Sequence, residues 1–223
     1  MKTSFVLLSL MAVMALAGAA RADTECYTNT VYFGWEGCQS SLDDYDGDGL
    51  DDIAMYETVS AIWYIWQSTN SVLRTGQWGT ANCIPVKGDY DGDGIADLAV
   101  YQTATGKWWI YSMGTATVLV NGDVWGSSDC VPIPGDYDGD GADDAAVYEY
   151  GTRKWQIYSV KNRVVILSDA VWGAEGVTPV PADYDGDGKA DPALYHESSG
   201  TWDALLSGSG YQSSTLSFGA AGY

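Results

Sequence analysis

An all-β protein assembled from four repeats is the fold class this sequence predicts, and three observations carry it. An acidic turn of one pattern, D-x-D-x-D-G-x-x-D, starts at Asp44, Asp89, Asp136 and Asp183. Tyr56, Tyr101, Tyr148 and Tyr195 lie twelve residues after those starts, and Trp63, Trp108, Trp155 and Trp202 seven residues further on. No window shows the 3.6-residue apolar stripe of an amphipathic helix. Instead "DIAMY", "DLAVY", "DAAVY" and "DPALY", with "WYIW", "WWIY" and "WQIY", are apolar on both alternating faces. Such strands need cover on both sides, and without helices only other sheets supply it. A unit of about 46 residues with several strands therefore predicts small sheets stacked face to face as β-propeller-type blades. They form either a closed four-bladed ring or an open array. β-Solenoid coils are usually shorter.

Residues 1–22 read as a secretory signal peptide. Met1-Lys2 gives the positive start, "FVLLSLMAVMALAG" (residues 5–18) the apolar run, and Ala20-Arg21-Ala22 the small-x-small cleavage step. The run is short for a spanning helix, so an uncleaved anchor is the weaker reading. Cys26 has no lipobox before it and no second hydrophobic stretch follows. The expectation is a secreted or cell-surface protein whose mature chain does not enter the membrane.

Residues 23–34 carry an extra strand, "TNTVYFG" (residues 28–34), ahead of the first acidic turn. Repeats then occupy 35–79, 80–126, 127–173 and 174–223. They close on the aromatic-Gly pairs Trp78-Gly79, Trp125-Gly126, Trp172-Gly173 and Phe218-Gly219. The surplus strand completes the last blade in a closed ring. In an open array it is free to pair with another molecule by strand addition, giving a filament.

Without Lys2 and Arg21 the chain keeps 8 basic against 30 acidic residues, a net −22. That balance argues against nucleic acid and anionic membrane surfaces, which need clustered Lys and Arg. Disorder is the common meaning of strong negative charge, but 10 Trp and 16 Tyr are too many for a solvating chain.

The acid is concentrated in the four turns. Asp44, Asp46, Asp48 and Asp52 recur as Asp89, Asp91, Asp93 and Asp97, as Asp136, Asp138, Asp140 and Asp144, and as Asp183, Asp185, Asp187 and Asp191. Four carboxylates in nine residues repel one another unless a cation sits among them. Hard oxygen donors at positions 1, 3 and 5 wrap one ion, Gly at position 6 permits the sharp turn, and a backbone carbonyl at position 7 adds a ligand. Position 7 is Leu50, Ile95, Ala142 or Lys189. This is Ca²⁺ chemistry, about four ions per chain, with Mg²⁺ disfavoured by the ligand number and flexibility. An EF-hand is excluded: its bidentate Glu at position 12 is replaced by Met55, Val100, Val147 and Leu194. A merely solvated Asp-Gly turn would suit one copy better than four in register.

With the surrounding "WGxxxxxPVxGDYDGDGxxDxAVYxxxxGxWxIYS", these residues resemble the bacterial FG-GAP/VCBS-type repeat, related to the calcium-bearing blades of integrin α-subunits. The resemblance runs from about Phe33 to the C-terminus. It implies blades whose metal loop joins the first and second strands, with the sixteen Asp as ligands, and roles in extracellular adhesion, carbohydrate binding or surface assembly. Two departures matter. Integrin-type propellers have seven blades, and the first unit reads "CQSSLDDYDGDG" without the Pro-Val step.

Cys38, Cys83 and Cys130 each lie six residues before an acidic turn, and Cys26 is the fourth. An even count in an exported chain predicts disulfides. Equivalent positions on neighbouring blades suggest Cys83–Cys130, leaving Cys26–Cys38, among three connectivities. No CxxC or nearby His completes a zinc site.

Seven Trp occupy repeat-locked positions and read as inter-blade core, leaving Trp35, Trp66 and Trp109 to face a ligand. His196 is the single His, and its counterparts are Glu57, Gln102 and Glu149. No nucleophile elbow, phosphate loop or catalytic carboxylate pair is recognisable, so the expectation is a non-enzymatic protein. The reading is a calcium-stapled structural or adhesive repeat protein that engages an extracellular protein, a glycan or copies of itself. A calcium-stabilised lectin is the alternative, and an accessory domain of a hydrolase a second.

Overall fold

The computed structural model describes residues 36–217, and within them the chain is all-β: sixteen strands in four antiparallel sheets, with one 3-10 turn at Ser207–Ser209. The signal peptide expected at 1–22, Cys26, the strand expected at 28–34, Trp35 and Phe218-Gly219 lie outside the described residues. Among those described, no helix is long and apolar enough to cross a membrane.

Each sheet is a meander of four strands consecutive in sequence. Sheet 1 holds β1 (Cys38–Asp43), β2 (Asp52–Glu57), β3 (Ile62–Trp66) and β4 (Leu73–Gln77). Sheet 2 holds β5 (Ile84–Pro85), β6 (Leu98–Gln102), β7 (Lys107–Ser112) and β8 (Thr117–Val124). Sheet 3 holds β9 (Cys130–Pro132), β10 (Ala145–Glu149), β11 (Lys154–Ser159) and β12 (Val164–Val171). Sheet 4 holds β13 (Val177–Pro179), β14 (Ala193–His196), β15 (Thr201–Leu206) and β16 (Gln212–Ser217). Every acidic turn connects the first and second strands of its sheet, the connection the resemblance implies.

The second strand is central and covered on both faces: Leu98, Ala99, Val100 and Tyr101 of β6 are all buried, as are their counterparts Ala145 to Tyr148 in β10. The third strand alternates. In β7, Trp108, Ile110 and Ser112 are buried while Lys107, Trp109 and Tyr111 are half-buried. The period of two comes directly from the pleat.

The core lies between consecutive sheets rather than within one. Tyr45, Tyr56, Trp63 and Ile65 of the first repeat pack with Cys83, Ala96, Leu98 and Val100 of the second. Tyr90, Tyr101, Trp108 and Ile110 pack with Cys130, Ala145, Val147 and Val160 of the third. Tyr137, Tyr148, Trp155 and Ile157 pack with Val177 and Leu194 of the fourth. Each buried Trp stacks at a tilt on the Tyr opposite it, for example Trp108 on Tyr101 with centroids 5.2 Å apart. Such pairs add about 1 kcal/mol beyond the area they bury.

This arrangement corrects the disulfide expectation. Cys83 and Cys130 are free thiols. Each occupies the same place in its own inter-sheet core, Cys83 between sheets 1 and 2 and Cys130 between sheets 2 and 3, so repetition keeps them in different clusters. Their sulfurs instead meet Thr80 Oγ1 at 3.3 Å and Ser127 N at 3.2 Å. The partner expected for Cys38, Cys26, lies outside the described residues.

Candidate metal centre

Every acidic turn is folded by its own carboxylates. The position-1 side chain is turned into the loop: Asp44 Oδ1 accepts from Gly47 N at 2.7 Å and Oδ2 from Gly49 N at 2.7 Å. Asp136 repeats this with Gly139 N at 2.6 Å and Gly141 N at 2.8 Å. Position 5 closes the next turn, Asp93 Oδ1 accepting from Ile95 N at 2.9 Å and Asp140 Oδ1 from Ala142 N at 2.9 Å. Glycines at positions 4 and 6 both take left-handed backbone, φ 80° and 82° at Gly139 and Gly141. L-residues resist that region. Position 4 is as legible in the sequence as position 6, since Gly stands there in all four turns.

Position 9 is the buried carboxylate. Asp52, Asp97, Asp144 and Asp191 are each at most 1 % exposed. Their Oδ2 atoms accept from the N–H of the position-2 tyrosines: Tyr45 at 3.1 Å, Tyr90 at 2.8 Å, Tyr137 at 2.8 Å and Tyr184 at 2.9 Å. Asp52 Oδ1 also takes Ser68 N, and Asp191 Oδ1 takes Ser207 N, each at 2.7 Å, from the hairpin between third and fourth strands. Asp144 Oδ1 has no such donor. It is buried without a hydrogen-bond partner; the Tyr137 N–H on Oδ2 and, less strongly, the Ser159 hydroxyl favour the ionised form of the side chain.

The carboxylates converge as cation sites do. Ligand atoms of Asp89, Asp91 and Asp97 all lie within 4.8 Å of one another, and so do those of Asp136, Asp138 and Asp144 and of Asp183, Asp185 and Asp191. The first loop gathers Asp44, Asp46 and Asp48 instead. Thus three expected ligands per loop come together, while Asp52, Asp93, Asp140 and Asp187 stand outside the tight sets. Donor chemistry fits a hard cation, being oxygen throughout. Burial first of all pushes Asp97 and Asp144 up to about 7, neighbouring loop carboxylates adding to it and the tyrosine N–H opposing. Folding has packed negative charge where it is costly, and a cation would remove that cost.

Two further layers surround the loops, and neither was visible in the pattern. The hairpin tip leans on positions 3 and 5. Asn162 Nδ2 donates to Asp138 Oδ2 at 3.1 Å and Asp140 Oδ2 at 2.6 Å, and Lys161 Nζ to Asp140 O at 2.9 Å. In the first repeat Ser68 and Thr69 fill this role toward Asp48, and in the fourth Ser207 meets Asp187 at 2.9 Å. The loops also join one another. The position-1 carbonyl of each accepts from the position-8 N–H of the next: Asp44 O from Ala96 at 2.7 Å, Asp89 O from Asp143 and Asp136 O from Ala190 at 2.6 Å. Asp143 adds its own carboxylate to the joint, accepting from Asp89 N at 3.0 Å, and burial raises it to about 6.

His196 Nε2 lies 2.8 Å from Asp203 Oδ2, and Thr215 Oγ1 donates to Asp203 Oδ1 at 2.6 Å. Trp66 and Trp109 are half-buried, Trp109 packing against the first core. The larger opening involves repeat-locked aromatics instead. A cavity of about 680 Å³ between sheets 1 and 2 is lined by Trp63, Gln67, Arg74, Trp78 and Tyr111. Opposite Ile65, β4 presents Arg74, where β8 sets Val120 opposite Ile110 and β12 sets Leu167 opposite Ile157. At the next joint, with Val120 in place, the corresponding gap is about 230 Å³. Trp63 Nε1 is buried without a partner, whereas Trp108 and Trp155 donate to the Trp125 and Trp172 carbonyls at 2.8 and 3.1 Å.

No model of a known protein family matches the chain, and no curated protein matches it at a significant level.

Proposed function

We propose that this chain is a calcium-binding, propeller-type repeat protein of the FG-GAP/VCBS kind. It is exported and non-enzymatic, and it serves a structural or adhesive role toward an extracellular protein, a glycan or copies of itself. One observation carries the reading: four loops in register, each bringing three carboxylates within 4.8 Å of one another. In it, Ca²⁺ is held by the position 1, 3, 5 and 9 carboxylates with the carbonyls of Leu50, Ile95, Ala142 and Lys189. When bound, the ion neutralises the repelling acids. The chain's own residues do the rest: position 1 shapes the turn, position 9 ties it to the position-2 tyrosine, and the hairpin tip fixes positions 3 and 5. Because only the folded loop assembles the ligands, binding free energy adds to folding free energy. Native mass spectrometry after dialysis against calcium tests this. A mass increase of about four ions is expected, and an unshifted mass would overturn the reading.

Carbohydrate binding is favoured as a second reading by the cavity beside Arg74. Aromatic faces, the buried Gln67 amide beside the exposed Arg74 guanidinium, and a donor lacking a partner are what a sugar ring requires. A glycan array probed with the chain and with Arg74→Val, which installs the residue type of sheet 2, separates lectin from scaffold. Glycan signal lost in the variant supports the lectin.

A further inference from the structure

The three inter-sheet joints share one construction, and the two ends of the series each carry half of it. At every joint the position-2 tyrosine of the preceding loop is buried: Tyr45 at 2 %, Tyr90 at 0 % and Tyr137 at 1 % exposure, against 45 % for Tyr184 of the last loop. Trp63, Trp108 and Trp155 are buried, whereas Trp202 is half-buried. A Cβ on the position-4 glycine would meet the next loop's position-7 side chain, Gly47 with Ile95 at 3.0 Å and Gly139 with Lys189 at 3.1 Å; around Gly186 the space is open. The complementary half stands on sheet 1, where Leu50 at position 7 is 62 % exposed with no preceding loop beneath it. Among the described residues, the Asp183 carbonyl receives no position-8 N–H.

We infer that the face of sheet 4 receives sheet 1 of a second copy, which continues the series as a fifth blade. Leu50 then covers Gly186, as Ile95 covers Gly47, and Asp51 N–H donates to the Asp183 carbonyl, as Ala96 N–H does to Asp44. This is stacking of faces, distinct from strand exchange by the 28–34 segment. The occupant follows from continuity: among the described residues, each trailing face that is covered is covered by the leading face of the next repeat. Such a contact is head-to-tail, so copies close into a ring or extend as a filament depending on the rotation between them. The inference rests on the repeat reading, and it deepens the self-association named there.

Asp51 and Ala182, both exposed, mark the new joint. Their counterparts meet closely at the last internal joint, where a Cβ on Gly135 would stand 3.2 Å from Ala190 Cβ. A disulfide needs Cβ atoms about 4 Å apart. Full chains carrying Asp51→Cys alone and Ala182→Cys alone are mixed in calcium and oxidised, and the unmodified chain is sedimented alongside. A covalent heterodimer from the mixture, with sedimentation at two or more chain masses, is the expected result. Ala182→Arg should weaken that association at least tenfold while the calcium count stays unchanged. Failure of the mixture to cross-link, or a monomer at every concentration, overturns the inference. So does an internal cross-link within a single chain carrying both cysteines, which would show the series closing on itself. None of these results touches the calcium count, so the inference and the metal reading fail separately.

Discussion

The Asp136 and Asp183 loops share their acidic pattern residue for residue, and their hydrogen bonds within the turn match: Gly139 N to Asp136 Oδ1 at 2.6 Å and Gly186 N to Asp183 Oδ1 at 2.7 Å. Their surroundings differ. Tyr137 lies in a core that includes Val177 and Leu194 of sheet 4, while Tyr184 is 45 % exposed. Loop chemistry is therefore local and set by nine residues, whereas the stability each loop lends the fold depends on the sheet that follows. Interior loops fasten sheets together, and among the described residues no further sheet covers the last one.

The comparison can be tested in order of expected effect. If the loops hold calcium as proposed, its removal acts on all four at once. At a free concentration a hundredfold above Kd each site contributes about 2.7 kcal/mol, so four sites lost together lower Tm by about 20 °C or more at 2–4 °C per kcal/mol. A chelator added during a thermal melt measures this, and an unchanged Tm would break the account.

Next is tyrosine truncation. Tyr137→Ala should cost about 3–5 kcal/mol, as buried aromatics do, and Tyr184→Ala less than about 1 kcal/mol in a monomer. Equal costs by urea denaturation would mean that the terminal loop is as enclosed as the inner ones.

Charge removal at the buried position should change sign with calcium. Asp144→Asn keeps an acceptor for Tyr137 N–H and removes the charge that burial penalises. In calcium-free buffer at pH 8 it should stabilise by roughly 2 kcal/mol, allowing for screening. In calcium it should destabilise, since a ligand is lost.

The pH dependence follows from the same groups. Asp97 and Asp144, raised to about 7 by burial, hold protons that an unfolded chain releases near 4. Their contribution to calcium-free stability is thus fully present below about pH 4 and falls as pH rises toward 7. Calcium binding requires the ionised forms, so affinity should drop on acidification through that window. Melting curves at several pH values, with and without the ion, check both slopes.

The strands and turns were legible because each repeats the same letters at the same offset, so one misread copy is corrected by three others. Tyr56 and Trp63 announce the core for the same reason. The hairpin tips were not legible: Ser68 and Thr69, Thr115 (which donates to Asp91 Oδ2 at 3.4 Å), Lys161 and Asn162, and Ser207 do one job with different side chains. The joints escaped because their bonds run between backbone groups, which any residue carries, as at Ala96 and Asp44. The Cys83–Cys130 pairing failed for a related reason. Equal sequence positions become equal positions on successive sheets, a full inter-sheet spacing apart. Arg74 was readable only after β4 was laid against β3, because the short first-repeat strand gives no alignment with β8 by letters alone.

The central claim is that each acidic loop encloses a divalent cation in the folded chain. Crystallographic anomalous scattering from protein grown in millimolar calcium tests it most directly. The account predicts a peak in each loop, about 2.3–2.6 Å from its carboxylate oxygens, with the Asp136–Asp138–Asp144 site ordered by its buried, partnerless oxygen. Four loops without peaks at that concentration, in a chain folded as described, would contradict it.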